Sequence, residues 1–178
     1  SRIGMGESIL EKNWAFLSHN GRIKAVYCCE PWIVITFDDS GNPLSYNRKD
    51  FKIPRLGNQY LACSTNPIEV NFKKLGSCYL MFIHQYLYPD NLSKGSRKRT
   101  YYQHALVLDK KTLNPKAWTP KAVLGGGIST PGKFSGVLYV SSIVSKGEYL
   151  YAIAGIGDSS SSYFRMRLED IEKNLYSL

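Results

Sequence analysis

Short apolar runs alternate along this chain with turns that contain glycine. Trp14 to Ser18 is mostly apolar, His19-Asn20-Gly21 interrupts it, and a second largely apolar run follows at Arg22 to Cys28. The pattern predicts strand, turn, strand, because Asn-Gly supplies the positive φ of a tight hairpin. A third strand is predicted at Trp32 to Phe37, ended by the turn formers Asp38-Asp39-Ser40-Gly41-Asn42-Pro43. A comparable unit runs from Ile68 to Phe72, through Lys74-Leu75-Gly76 into Cys78 to His84, and after a polar loop into Tyr101 to Asp109. A third comprises Val137 to Val144, the turn Ser145-Lys146-Gly147, Tyr149 to Ala154, and Tyr163 to Leu168.

Gly21, Gly76 and Gly147 mark the same phase of each unit, at spacings of 55 and 71 residues. Recurring strand units of this kind predict an all-β, radial architecture, with a β-propeller as the leading geometry. Three four-stranded blades are fewer than the four to eight that close a ring, so the chain reads as part of one, within a single domain spanning residues 1–178 and incomplete on its N-terminal side. Its open edges then call for missing blades or another chain to cover them. In Leu168-Glu169-Asp170-Ile171-Glu172-Lys173-Asn174-Leu175, apolar residues stand four apart behind acidic ones, which predicts a short terminal helix.

Composition sharpens this picture. A chain of 178 residues with no long Pro, Gly or Ser linker suits one core, and its 13 tyrosines favour strands and aromatic-lined surfaces. The net charge of +9 raises nucleic acid as a partner. However, the densest cluster, Lys94 to Arg99, lies between two apolar runs as a loop, and no recognition helix or zinc spacing accompanies it, so a solvated or anion-binding loop is the expectation.

Cys28, Cys29, Cys63 and Cys78 form no CxxC pair, which argues against a metal site; neighbours Cys28 and Cys29 must point to opposite faces of a strand. Free buried thiols fit a reducing, cytoplasmic setting, whereas Asn91-Leu92-Ser93 fits a glycosylation sequon. No apolar run approaches the length of a membrane span, nothing resembles a signal peptide, and the chain opens on Ser1 as a processed piece of a longer protein would. Gly125-Gly126-Gly127 lacks the Lys-Ser/Thr and the helix of a phosphate loop.

Several segments carry a family resemblance: Glu11-Lys12-Asn13-Trp14 ahead of a strand, Asn20-Gly21 turning into Arg22 to Tyr27, Phe82-Ile83-His84 at a strand end, Tyr101-Tyr102-Gln103-His104-Ala105-Leu106-Val107-Leu108-Asp109, and Gly155-Ile156-Gly157-Asp158. In this order the chain resembles the last three blades of the five-bladed propellers of glycoside hydrolase family 130, the β-mannoside phosphorylase and β-mannosidase group. The resemblance implies a sugar over a central funnel, protonation of the glycosidic oxygen by an aspartate in an upstream Asp-Pro-Arg type segment, and inversion at the anomeric centre. The chain contains no Asp-Pro-Arg segment, so by itself it is expected to be catalytically silent.

The same resemblance assigns Lys12 to the binding of an attacking phosphate, His84 to the same side, and Asp158 to sugar hydroxyls at the far end of the subsite. Ile83 stands where the family has tyrosine, which removes a donor from the anion pocket and puts phosphate use in doubt. Inorganic phosphate remains a candidate co-substrate beside water; no cofactor is expected. The candidate substrate-binding set is thus Glu11, Lys12, Asn13, Trp14, His84, Tyr102, His104 and Asp158, polar groups for hydroxyls and rings for sugar faces.

Each has an ordinary rival reading. Glu11 and Lys12 suit a solvated entry turn, Trp14 suits a core between blades, and His84 suits a satisfied structural histidine. Tyr102 and His104, alternating on one strand face, suit a blade interface, and Asp158 suits an Asx turn. The functional expectation is a carbohydrate-active propeller that cleaves or phosphorolyses a glycosidic bond when complete. The alternative is a non-catalytic sugar-binding or scaffold module attached to a glycosyltransferase or another glycan enzyme.

Overall fold

The computed structural model describes residues 13–50, 52–53, 60–87, 100–125, 137–157 and 159–178. Asn20 and Gly21, with φ of 53° and 72°, turn β1 (Ala15–His19) into β2 (Arg22–Cys29). With β3 (Trp32–Phe37) and β4 (Pro43–Lys49) they form a four-stranded antiparallel sheet in chain order. Every β4 residue is exposed, so it lacks the apolar alternation by which a strand is recognised in sequence.

The second sheet is built on the long pair β7 (Gly76–Leu87) and β8 (Thr100–Leu108). Both β5 (Tyr60–Cys63) and β6 (Ile68–Phe72) pair with the same edge of β7. On the far side lie β9 (Pro115–Trp118) and the two-residue β10 (Leu124–Gly125), both against β8. The third sheet is β11 (Leu138–Lys146), β12 (Tyr149–Ile156) and β13 (Ser160–Arg167). The expected terminal helix follows as α1 (Leu168–Lys173), and β14 (Tyr176–Ser177) returns the chain to β9.

The chain is therefore all-β apart from one short helix, with three antiparallel sheets of four, seven and three strands among the described residues. The expected four strands per unit are met by the first sheet, exceeded by the second and not reached by the third, which has three among the described residues. Ser64 to Pro67 kinks the leading strand of the second sheet into β5 and β6, while β10 and β14 add short pairings to that sheet alone.

The second sheet is the middle layer. Tyr79, Met81 and Ile83 of β7 pack with Ala15, Leu17, Val26 and Val34 of the first sheet, whereas Leu80 and Phe82 pack with Val140, Leu150 and Ala152 of the third. Burial on both faces accounts for the uninterrupted apolar run Cys78 to Ile83, because neither side of the pleat meets water. Cys29 faces the second sheet, its Sγ 3.6 Å from that of Cys63, and Cys28 lies with the opposite face, as their adjacency requires.

The leading strands adjoin. The Phe16 amide of β1 donates to Asn66 Oδ1 at 2.8 Å, and on the other side Tyr139 of β11 donates to the Ser64 carbonyl oxygen at 3.4 Å. Ser145 of β11 reaches the Glu69 carbonyl oxygen, also at 3.4 Å. The helix is tied in by Glu172, whose buried carboxylate accepts the amides of Lys73, Lys74 and Leu75 at 3.2, 2.7 and 3.0 Å. Among the described residues no helix is long and apolar enough to cross a membrane.

Candidate functional site

The kink between β5 and β6 creates the most organised polar cluster. Ser64 and Thr65 both donate their amides to the Phe82 carbonyl oxygen, and Thr65 Oγ1 accepts the Phe82 amide at 2.9 Å, so the kink is clamped to β7. One step along, Ser64 Oγ lies 2.8 Å from His84 Nδ1 and donates to Gln103 Oε1 at 2.9 Å. Gln103, fully buried, donates Nε2 to the Leu138 carbonyl oxygen at 2.8 Å, which carries the network into the third sheet.

These bonds fix one proton of the His84 ring. With its amide nitrogen committed to Leu138, Gln103 presents only an acceptor to Ser64, so the serine proton goes to Gln103. Ser64 must then accept from His84, which places an imidazole proton on Nδ1. His84 is only 3% exposed; its ring lies 5.4 Å from that of Tyr101 and 5.3 Å from that of Tyr139, and both tyrosines are half-buried. Burial pushes the Tyr139 hydroxyl up from its ordinary value, keeping it a donor. The arrangement offers an oriented imidazole framed by two aromatic rings, the equipment for binding hydroxyls and a ring face.

The other candidate residues distribute differently. In the β7–β8 register His84 stands opposite Gln103, and Ile83 opposite His104, so His84 and Tyr101 share one face while Tyr102 and His104 share the other. His104 is buried toward the first sheet, its Nδ1 2.7 Å from the Thr119 carbonyl oxygen and its ring 5.3 Å from that of Trp118. Its Nε2 has no hydrogen-bond partner, and burial holds its pKa below the ordinary histidine value. Tyr102 is half-buried and stands in register with Gly125 of β10.

Asn13 adopts a left-handed φ of 65° just before Trp14. Trp14 lies on the outer face of the first sheet, with ring centroids 5.1, 6.1 and 6.4 Å from Tyr27, Phe16 and Phe37. Beside it opens a groove of about 570 Å³ lined by Trp14, Phe16, Phe37, Asp38, Asp39 and Arg22, among others. Trp14 and His84 therefore belong to different sheets and different surroundings. Glu11, Lys12, Asp158, the Lys94–Arg99 cluster, the Asn91 sequon, and Gly126 and Gly127 lie outside the described residues.

Ser64, Gln103 and Tyr139 escaped the sequence reading. A signal existed for two of them: Ser64-Thr65-Asn66-Pro67 is a run of turn formers between two strands, and Gln103 is an amide shortly before the apolar run Ala105 to Leu108. Tyr139, one of 13 tyrosines, had none.

No known family model matches this sequence, and no curated protein does. Among solved structures, the fold is similar to that of a beta-1,2-mannobiose phosphorylase from Listeria innocua, determined as its complex with beta-1,2-mannobiose. The TM-score is 0.65 at 16% identity, over 92% of this chain and 46% of that one. The chain thus spans less than half of that phosphorylase, and what the likeness establishes is a shared fold.

Proposed function

We propose that this chain forms three consecutive blades of a carbohydrate-binding β-propeller of the β-mannoside phosphorylase and β-mannosidase type, with a sugar site at the Ser64–His84–Tyr139 end of its inner strands. The observation that carries the reading is the adjacency of the leading strands, β1 to the β5–β6 kink and the kink to β11, with one oriented polar network at the junction. In this reading the chain is one domain. The exposed apolar residues Phe16, Ile23 and Tyr46 of the first sheet pack against further blades, from the same protein or another chain.

Glu11, Lys12, Asn13 and Asp158 complete the sugar site by family resemblance. His84 acts with Tyr101 and Tyr139, and Tyr102 and His104 support the strand from its opposite face. Catalysis, inverting hydrolysis or phosphorolysis, belongs to the complete ring, with the general acid supplied by a segment outside these 178 residues.

A second reading, a non-catalytic glycan-binding module, is favoured by the groove beside Trp14, where three aromatic rings adjoin Asp38 and Asp39. Asp38 is spent on its own turn, accepting from the Ser40 and Asn42 amides, so Asp39 is the carboxylate that a sugar would meet. Titration of β-1,2-mannobiose and a panel of mannosides into the chain, followed by calorimetry, separates the two readings. The first expects saturable binding that His84→Gln weakens about tenfold or more and Trp14→Ala leaves unchanged. The reverse pattern transfers the site to the groove. No binding of any mannoside defeats both.

A further inference from the structure

We propose that a groove at the outer edge of the third sheet binds a small ligand through a phosphate or sulfate group. The groove has a volume of about 590 Å³, and its lining includes Lys121, Val123, Tyr149, Arg165, Arg167 and Asp170. The strand geometry assembles it. Arg165 and Arg167 alternate on β13 and so project to one side, and the β12–β13 register sets Tyr149 directly opposite Arg167. The Cζ atoms of Arg165 and Arg167 lie 4.9 and 5.9 Å from the centroid of the Tyr149 ring.

One ring therefore parks two guanidinium groups. Cation–π attraction restrains both side chains beforehand, which lowers the ordering cost when an anion arrives. Neither arginine nor Lys121 has a carboxylate within salt-bridge distance among the described residues, although other surface lysines do. The acidic groups nearby are Asp170, engaged with Lys173 at 3.8 Å, and Glu148, whose charge also acts on Arg167. Three cations against one lining carboxylate leave a positive groove, and like charges two residues apart on a strand are relieved by an anion that bridges them.

Planar guanidinium forks match tetrahedral oxyanions, because each can donate two parallel hydrogen bonds. A bare oxyanion would fill only a part of such a volume. The remainder, walled by Val123, suits a carrier the size of a hexose. The site is separate from the His84 network: Tyr149 is six residues along β12 from Gly155, the partner of Tyr139, or roughly 20 Å of strand. Its occupancy does not depend on a sugar site there.

The test uses the 178-residue chain with three probes: inorganic phosphate, a hexose phosphate and a sulfated disaccharide, titrated by calorimetry at low salt. The expected result is saturable binding of one hexose phosphate or sulfated disaccharide per chain, tighter than inorganic phosphate, and weakened about tenfold or more in the Arg165→Gln/Arg167→Gln variant. Whichever carrier binds more tightly distinguishes a phosphorylated from a sulfated source. Arginine side-chain resonances of the unaltered protein give a second readout, and two guanidinium signals should shift together on titration. Absence of saturable binding by all three probes overturns the proposal, as does unchanged affinity in the double variant or unshifted arginine signals. A single-stranded oligonucleotide that binds in preference to all three also overturns it, marking the groove as a nucleic-acid surface.

Discussion

His84 Nδ1 and Ser64 Oγ lie 2.8 Å apart, and the direction of the proton between them is set by a third residue, Gln103, which accepts the serine hydroxyl at 2.9 Å. A buried imidazole is thereby held in one rotation, with a proton on Nδ1. The strand that carries His84 supplies its position, but the kink after β5 supplies its orientation.

Removing that hydroxyl has a calculable consequence. Ser64→Ala leaves His84 Nδ1 and Gln103 Oε1 each without a hydroxyl partner in a buried setting. The expected loss is about 1–3 kcal/mol of stability, read as a lower urea midpoint with an unchanged slope. Nitrogen-detected spectra of the imidazole should also lose the Nδ1–H signature. A variant as stable as the parent, with the same Nδ1–H signal, would show that the network orients nothing.

His104 makes the acid limb of stability. Burial lowers its folded pKa beneath the ordinary 6.5, against the opposing pull of the Thr119 carbonyl, and protonation would place a second N–H at Nε2, where no acceptor stands. The unfolded chain therefore binds the proton more readily than the folded one. The contribution of His104 is present above about pH 6.5 and lost as pH falls through the depressed folded value. Thermal midpoints measured from neutral to mildly acidic pH should fall, and less steeply in His104→Phe, which keeps a ring against Trp118 and cannot titrate. Parallel curves for the two proteins would sink this assignment.

Gly125 is required by a close approach. Its φ is +103°, and an added Cβ would overlap the Tyr101 carbonyl oxygen and come within 3.2 Å of Tyr102 Cα. Both backbone strain and a clash with main chain follow from Gly125→Ala, at about 1–3 kcal/mol or more. Amide exchange should rise at Tyr102 and Gln103, the β8 residues in register with β10. Unaltered stability and exchange would mean that β10 is dispensable to the sheet.

Glu172 fastens the helix to the β6–β7 turn through three backbone amides. Glu172→Gln retains one acceptor oxygen and turns an NH₂ toward donors, so about 1.5–3 kcal/mol should be lost. The amides of Lys73, Lys74 and Leu75 should exchange faster in the variant. Equal protection in both proteins would reduce the contact to a surface accident.

How much of this was written in the order of residues depends on how local the cause is. Asn20-Gly21, Gly76 and Gly147 announce their hairpins because positive φ is a property of the turn itself, and the acid-rich start of α1 is equally local. The unbroken apolar run of β7 shows two buried faces, whereas the single buried face of β1 is hidden by Phe16, an apolar residue that stands exposed. β4 left no such trace, since all of its side chains face water and only pairing with β3 makes it a strand. The candidate site was legible by residue type alone: His84 could be singled out, but not that register would pair it with Gln103 and turn His104 to the opposite face.

The sequence by itself determined where strands turn, which faces are apolar, and that the protein is built of recurring antiparallel units. Tertiary structure alone decided which units became neighbours, that a kink at Ser64 would orient His84, and that Tyr149 would gather two arginines. The physical reason is range. Backbone torsion and burial periodicity are settled within a few residues, whereas a hydrogen bond from Ser64 to Gln103, or from Gln103 to Leu138, exists only after separate strands have been brought into register.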